Sequence, residues 1–239
     1  MDDLFNQVRN LVIANRILAR EGVVDGYGHV SIRHPEKPDR FLLSRSRSPE
    51  LVALDDIMEF DLSGEPVDGS GKPPYLERFI HGACYEARPD VNAVVHSHAP
   101  ETIPYGITAT PLRPVFHVAA RMGGTVPVWD IADRFGDTNL LVANIAQARD
   151  MAQTLGPNRV VLMRGHGITV AADSLVNAVT TAIYTNLNAR LQAQAMLMGD
   201  VRYLSPGELA HARKLSTGAT LGGDRQWEYF RHRAGCDDI

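Results

Sequence analysis

A short apolar run that ends in two histidines is the part of this sequence with the clearest chemical potential. Val94 and Val95 are followed by His96, Ser97 and His98. Residues two apart on a β-strand point to the same face, so the imidazoles of His96 and His98 could converge on one divalent ion. Two surface histidines at the end of a strand are the alternative, since the pattern also arises by chance. The motif therefore suggests a metal site that needs further ligands.

A third imidazole would turn this pair into a catalytic type of metal site. His166 is the best candidate, because Gly165 and Gly167 on either side of it permit unusual backbone angles and close packing. A hairpin with His166 solvated at its tip is the alternative. Four other histidines are rivals with weaker contexts: His29, His34, His81 and His117. Three imidazoles with one open coordination position are typical of catalytic rather than structural zinc sites.

A carboxylate stands ahead of the two histidines, on a helix predicted over residues 75–87. Glu77 and His81 are four residues apart, and residues at that spacing share a helix face. We therefore expect them to form a hydrogen-bonded pair. The predicted core positions of this helix are Leu76, Phe79, Ile80 and Ala83.

Hydrophobic periodicity predicts the elements that must position these side chains. Helices are predicted over residues 4–21, 144–155 and 175–198, and strands over residues 29–33, 41–43, 160–163 and 168–170. One more strand carries His96 and His98. Residues 101–139 are rich in proline and glycine, and their pattern predicts neither helix nor strand. Ser205 and Glu208 have the spacing of a capping box, which predicts a further helix.

The composition favours one α/β domain over residues 1–239, with a C-terminal helical extension from about residue 205. The formal net charge of -4 argues against nucleic acid or an anionic membrane as a partner. Cys84 and Cys236 make neither a disulfide framework nor a Cys-x-x-Cys pair. The sequence shows neither a signal peptide nor an apolar run long enough to span a membrane. A cytoplasmic protein is expected.

Four ordered motifs resemble the class II aldolase/adducin family. In chain order they are Gly28-His29-Val30-Ser31, Glu77, His96-Ser97-His98 and Arg164-Gly165-His166-Gly167. The resemblance extends from about residue 4 to residue 198, and the ordered set is more specific than any single motif. It implies an α/β fold with three α/β/α layers around a central, mainly antiparallel sheet.

The resemblance also implies roles for individual residues. His96, His98 and His166 would be the metal ligands, and Glu77 would be an acid or base close to the metal. The expected cofactor is one divalent ion per chain, with zinc favoured and manganese, cobalt and iron as alternatives. Family enzymes are commonly tetramers, so we expect a homotetramer whose active sites lie at subunit interfaces and receive aromatic residues from neighbours. A non-enzymatic, adducin-like binding protein is the less favoured alternative. Adducin-like proteins have lost the metal, and the histidines retained here argue against that alternative.

Departures from the family pattern point away from sugar phosphates. His29 stands in the place of an asparagine, residues 44–47 read Ser-Arg-Ser-Arg where small donors are usual, and Tyr75 replaces part of a Ser-Ser-Glu run. Arginine forks bind planar carboxylates through two parallel hydrogen bonds. The predicted substrate-binding residues are His29, Ser44, Arg45, Ser46 and Tyr75. The alternative for Arg45 and Arg47 is a solvated loop.

This pattern resembles the branch that decarboxylates hydroxylated aromatic or pyridine dicarboxylates, which also favours a C-terminal Trp-Glu-Tyr such as residues 227–229. The small-molecule substrate would be an aromatic acid whose ring hydroxyl binds the metal and accepts the electrons that CO2 leaves behind. Glu77 is the first candidate proton donor, and His117 or a neighbour's tyrosine, Tyr229, is the second. Packing of a C-terminal helix is the alternative for Tyr229. An aldolase or epimerase acting on a sugar phosphate through an enediolate would use the same metal site and stays open.

Overall fold

A mainly antiparallel sheet organises the computed structural model, which describes residues 2–216 and 223–239. The strands are β1 His29–Arg33, β2 Arg40–Ser44, β3 Ile57–Asp61, β4 Ala93–Ser97, β5 Val128–Trp129, β6 Val160–Met163 and β7 Gly167–Ala172. Their order across the sheet is β3-β2-β1-β4-β7-β6-β5. Only the pair of β5 and β6 is parallel among the described strands. Strand β4 contains His96 and ends at Ser97, directly before His98, so it is one residue shorter than the predicted strand that carries both histidines. It lies at the centre of the sheet.

Helices cover both faces of this sheet. They are α1 Asp2–Arg20, α2 Phe79–Ala87, α3 Ile103–Gly106, α4 Ala132–Phe135, α5 Ile145–Leu155, α6 Leu175–Met198, α7 Pro206–Ser216 and α8 Gly223–Arg233. Helices α1 and α6 contribute to one hydrophobic core, and α2 and α5 contribute to the other. The predicted three-layer α/β/α fold is confirmed.

The alternation of side chains along the central strands decides which groups face which layer. Val30 on β1 and Val95 on β4 belong to the core beneath α1 and α6. Val94 belongs to the core beneath α2 and α5, so His96, two residues further on, points to that same layer. The register pairs His29 with His96 across β1 and β4. The α2 side of the sheet therefore carries several imidazoles side by side.

The helix predicted over residues 75–87 is broken at its start. Residues Leu76–Arg78 form a 3₁₀ turn, and α2 begins only at Phe79. Glu77 has φ −90° and ψ 17°, which is outside helical geometry. As a result, Leu76 is 50% exposed instead of lying in the core, and Glu77 no longer stacks over His81. The predicted Glu77–His81 pair is wrong for this geometric reason.

The C-terminal segments pack on the α1 and α6 side of the molecule. Ser205 and Glu208 form the expected capping box at α7, with reciprocal bonds of 3.2 and 2.7 Å. Phe230 of α8 is buried in the core beneath α1 and α6. Of the helices in the described residues, none has the length and apolar character needed to cross a membrane.

Gly167 fixes how closely the turn before β7 approaches β4. A Cβ atom at Gly167 would lie 2.1 Å from the Ser97 carbonyl oxygen and 3.0 Å from the His98 Cα. Backbone atoms cannot move aside as a flexible side chain can. The absence of a side chain at Gly167 therefore lets His166 lie beside His98.

We expect Gly167→Ala to lower the free energy of unfolding by at least about 1–3 kcal/mol, because the added methyl group overpacks the contact with Ser97. Gly124→Ala is the matched control, since no heavy atom lies within 4 Å of a Cβ built there. Urea denaturation of both variants measures the difference. Equal stability of the two variants would show that the approach of β7 to β4 is not tight.

Candidate active site

A cluster of one carboxylate and three imidazoles lies where three segments meet. Glu77 comes from the 3₁₀ turn before α2, His96 from β4, His98 from the position directly after β4, and His166 from the turn between β6 and β7. One ligand atom from each of these residues lies within 4.8 Å of all the others. The sequence-predicted metal ligands and the predicted acid/base residue are thus brought together.

The distances within this cluster fit a shared metal ion. The Nε2 atoms of His96 and His98 are 3.3 Å apart, and those of His98 and His166 are 2.9 Å apart. Two nitrogens bound tetrahedrally to one zinc ion at about 2.0–2.1 Å lie roughly 3.3 Å from each other. Glu77 Oε2 is 3.5 Å from the Nε2 atoms of both His96 and His166. Three nitrogen donors and one oxygen therefore converge on one point.

The protonation of the imidazoles also suits metal binding. His96 Nδ1 donates to the Ile168 carbonyl oxygen at 3.1 Å, so the free Nε2 carries the lone pair of the neutral ring. Burial lowers the pKa of His96 below its usual value. Burial, together with His96 and His166, lowers the pKa of His98 to about 4. The imidazoles of His96 and His98 are therefore neutral near pH 7, as metal coordination requires.

Glu77 is held by a backbone amide on one side and faces the imidazoles on the other. Its Oε1 accepts the N–H of Val142 at 2.9 Å, which leaves Oε2 directed at the cluster. Burial raises the pKa of Glu77, but the nearby His96 and His166 lower it by more than burial raises it. The pKa of Glu77 is therefore well below its usual range. Glu77 is therefore an ionised carboxylate at the edge of the cluster.

An open cavity of about 680 Å³ begins at Glu77 and His98. Three of the predicted substrate-binding residues line it: His29, Ser46 and Tyr75. Ser44 and Arg45 are not among the lining residues of the described chain, whereas Arg47 is. Tyr27 and Leu141 also line the cavity and were not predicted. Tyr27 could have been found from its place in the glycine-flanked turn before His29, but nothing in the sequence marks Leu141.

Asp56 binds both arginines of the loop that follows β2, Arg45 and Arg47. Arg45 Nε donates to Asp56 Oδ1 at 2.6 Å, and Arg47 Nη1 donates to Oδ2 at 2.7 Å. Burial raises the pKa of Asp56, but the Ala53 amide and the two guanidiniums lower it below the ordinary value. Because only Nη1 of Arg47 contacts Asp56, its other donors can face the cavity.

Tyr75 forms a wall of the cavity next to His29. Its ring centroid is 4.6 Å from that of His29. The Tyr75 hydroxyl donates to the Arg47 carbonyl oxygen and accepts from Ser44 Oγ at 3.1 Å. Ser44 therefore does not line the cavity but holds Tyr75, which does, through this hydrogen bond.

His117 and Tyr229 lie away from this cavity in the same chain. His117 is exposed at the start of the short helix His117–Met122. Tyr229 is 55% exposed on α8, with its ring centroid 5.2 Å from that of Phe230. Neither residue lines the cavity, so their predicted contribution to catalysis depends on a neighbouring subunit and stays a prediction.

Comparison with known proteins places the chain in a family. The class II aldolase and adducin N-terminal domain matches residues 9–193, and the chain belongs to this family. It is 37% identical to decarboxylase tropJ of Talaromyces stipitatus over 204 residues, which is 80% of this chain and 77% of that protein. It is 34% identical to a 3,4-dihydroxyphthalate decarboxylase of Arthrobacter keyseri over 205 residues, 79% of this chain and 78% of that protein.

A solved structure agrees with the fold. The L-fuculose 1-phosphate aldolase of Glaciozyma antarctica PI12 superposes with a TM-score of 0.77 and 22% sequence identity, covering 97% of this chain and 89% of that one. At this identity the likeness concerns the fold alone.

Removal of one imidazole should abolish tight metal binding. We expect elemental analysis to find about one divalent ion per chain in the parent and little in His96→Ala, because two remaining imidazoles and a carboxylate bind more weakly. His211→Ala, an exposed histidine on α7, is the control and should keep its ion. Stoichiometric metal in His96→Ala, His98→Ala and His166→Ala alike would contradict the site.

Acid should destabilise the metal-free protein through its buried histidines. Burial and the nearby His96 lower the pKa of His81 to about 3, while a histidine in the unfolded chain titrates near 6.5. Between these values the unfolded state binds a proton that the folded state does not. The free energy of unfolding should therefore fall by about 1.4 kcal/mol per pH unit for this residue as the pH drops from 6 to 4.

Urea denaturation of the parent, His81→Gln and His211→Ala at several pH values measures this contribution. His81→Gln should show a shallower slope than the parent, and His211→Ala should not. Identical slopes in all three proteins would mean that His81 is protonated in the folded state.

Proposed function

We propose that the protein is a metal-dependent lyase that decarboxylates a hydroxylated aromatic dicarboxylate. The observation that carries the proposal is the composition of the cavity. Glu77 and His98 of the cluster line it together with the guanidinium of Arg47 and the rings of His29 and Tyr75. The Arg47 guanidinium can pair with a carboxylate, and the rings of His29 and Tyr75 can lie beside a flat aromatic ring. The names of the two decarboxylase relatives support the same reaction, and dihydroxyphthalate is a hydroxylated aromatic dicarboxylate.

The reaction needs an acceptor for the electrons of the broken carbon–carbon bond. A divalent ion held by His96, His98 and His166 would lower the pKa of a ring hydroxyl and stabilise the negative charge on its oxygen. The remaining steps fall to the side chains of the protein.

Glu77 is the group that moves the proton. As an ionised carboxylate it accepts the proton of the ring hydroxyl, and as the resulting acid it gives that proton to the ring carbon that bears the leaving carboxylate. The bond from this carbon to the carboxylate then breaks, CO2 leaves, and the electron pair returns to the ring. A solvent proton restores the hydroxyl, so the net change replaces a carboxylate by hydrogen. The Val142 amide keeps Oε2 of Glu77 directed at the cluster throughout.

The polar side chains of the cavity orient the substrate. Arg47 offers donors to a carboxylate while Asp56 holds one side of its guanidinium. His29 and Tyr75, with ring centroids 4.6 Å apart, provide flat surfaces beside an aromatic ring. Arg45 supports Arg47 through the shared Asp56, which moves our expectation for the carboxylate contact from Arg45 to Arg47.

We expect zinc as the ion, one per chain, and a homotetramer in the cytoplasm. A neighbouring subunit would then bring the exposed side chains of His117 or Tyr229 to the cavity, where either could assist proton transfer. An aldolase acting on a sugar phosphate is the second candidate, because the same cluster could stabilise an enediolate and the fold is shared with an L-fuculose 1-phosphate aldolase.

A substrate panel separates these two activities. Purified protein is incubated with hydroxylated phthalates, hydroxypyridine dicarboxylates and ketose phosphates, and both CO2 and aldehyde are measured. We expect CO2 from at least one aromatic dicarboxylate and little aldehyde. Rapid aldehyde release from a sugar phosphate, without CO2 from any aromatic acid, would replace our proposal with the aldolase.

Glu77→Gln tests the proton-transfer role. The amide keeps the shape and can still contact Val142, but it cannot carry the proton. We expect kcat to fall by about 10²–10⁴ while the bound metal stays near one ion per chain. Near-normal turnover would assign proton transfer to another residue.

Arg47→Lys and Arg45→Lys form a matched pair for the carboxylate contact. Lysine keeps the charge but loses the planar fork, so Arg47→Lys should raise KM for the dicarboxylate by about 10- to 150-fold, the equivalent of one charge-assisted hydrogen bond. Arg45→Lys should have a smaller effect, because Arg45 does not line the cavity. A larger effect at Arg45 would return the carboxylate contact to that residue.

A further inference from the structure

A chain of hydrogen bonds runs from the cavity into the layer between the sheet and α2. His29 Nδ1 is 2.6 Å from His81 Nε2, and His81 Nδ1 is 2.6 Å from Ser31 Oγ. Ser31 Oγ is in turn 2.7 Å from the Tyr85 hydroxyl. All four side chains are buried, and His29 is the member that lines the cavity.

A neutral His81 makes this chain directional. Burial and the nearby His96 lower the pKa of His81 to about 3, so this ring carries a single N–H near pH 7. A neutral His81 must then donate on one side and accept on the other. Either His81 donates to His29 and accepts from Ser31, or it accepts from His29 and donates to Ser31. The tautomer of His29 is thereby tied to the direction of the whole chain.

Tyr85 selects between the two directions. Among the described residues, Ser31 is the only group at the Tyr85 hydroxyl that can accept its proton. The Val94 amide is a donor, and the Arg33 guanidinium lies over the Tyr85 ring and donates to backbone carbonyl oxygens. If Ser31 donated to Tyr85, the phenolic proton would be buried without an acceptor, which is costly. Tyr85 therefore donates to Ser31, Ser31 donates to His81, and His81 donates to His29 Nδ1.

We propose that Tyr85, Ser31 and His81 are positioning residues that fix His29 as the Nε2–H tautomer, so that a neutral imidazole presents a hydrogen-bond donor to an anionic oxygen of the ligand in the cavity. This role deepens the proposed function and rests on it for the identity of the ligand. The tautomer also keeps His29 out of the metal's ligand set. Its ring centroid is only 5.2 Å from that of His96, but a protonated Nε2 has no lone pair for a metal.

The tautomer itself is the first test. Zinc-loaded protein labelled with ¹⁵N in its histidine rings is examined by long-range ¹H–¹⁵N correlation, and the His29 signals are assigned by their absence in His29→Gln. We expect the Nε2–H tautomer in the parent and a mixture of tautomers in Tyr85→Phe and Ser31→Ala. An Nδ1–H or doubly protonated His29 in the parent would overturn the proposal.

Ligand binding is the second test and uses phthalate, which lacks the ring hydroxyl and cannot react by the proposed mechanism. The amide nitrogen of glutamine can occupy the position of Nε2, whereas that of asparagine reaches only the position of Nδ1. We expect His29→Gln to keep the Kd of phthalate within about threefold and His29→Asn to weaken it by about 10-fold or more. Ser31→Ala and Tyr85→Phe should weaken it by several-fold while the bound zinc stays unchanged.

The two tests separate failure of this inference from failure of the proposed function. If the parent decarboxylates an aromatic dicarboxylate but Ser31→Ala and Tyr85→Phe leave both the tautomer and the Kd unchanged, the inference is wrong and the function stands. If no aromatic acid reacts or binds, the function is wrong, and the tautomer of His29 still decides the inference.

Discussion

The close approach of β7 to the end of β4 is the contact on which the site depends. Gly167 lies so near the Ser97 carbonyl that no side chain could replace its hydrogen. This contact brings His166 from the turn between β6 and β7 to within 2.9 Å of His98. The same strand β4 pairs with β1 on its other side, which sets His29 beside His96. The central strand β4 therefore supplies His96, places His98 directly after its end, and aligns the segments that supply the other imidazoles.

The α2 side of the sheet combines a dry core with a buried polar layer. Val94, Phe41 and Leu43 belong to the hydrophobic core beneath α2 and α5. Around His81 the layer becomes polar, and each buried group is satisfied by its neighbour: His29, Ser31 and Tyr85 form one continuous chain with it. Such networks are stable only when every member has a partner, which favours a single arrangement of protons. The cluster of Glu77 and three histidines and the hydrogen-bonded chain thus meet at the pair of His29 and His96.

Much of this arrangement could be predicted from the sequence because it depends on short-range geometry. The alternation of a strand predicts that His96 and Val94 share a face, and two glycines around His166 indicate a tight turn. The family resemblance then supplies Glu77. The errors occur where side-chain direction depends on distant partners. The turn at Leu76–Arg78 takes Glu77 away from His81, and Asp56, which lies nine residues beyond Arg47, orients both arginines. The cross-strand neighbours of His29 follow from the register of β1 and β4, which no local pattern encodes.

The dependence of CO2 release on the metal tests the account most directly. Protein freed of metal by a chelator is titrated with zinc, or with manganese, cobalt or iron in parallel, while CO2 release from a hydroxylated phthalate is measured. The account predicts no CO2 release from the metal-free protein and an increase that reaches its plateau at one ion per chain. Full CO2 release without metal, or an activity that does not follow the ion bound at His96, His98 and His166, would contradict it.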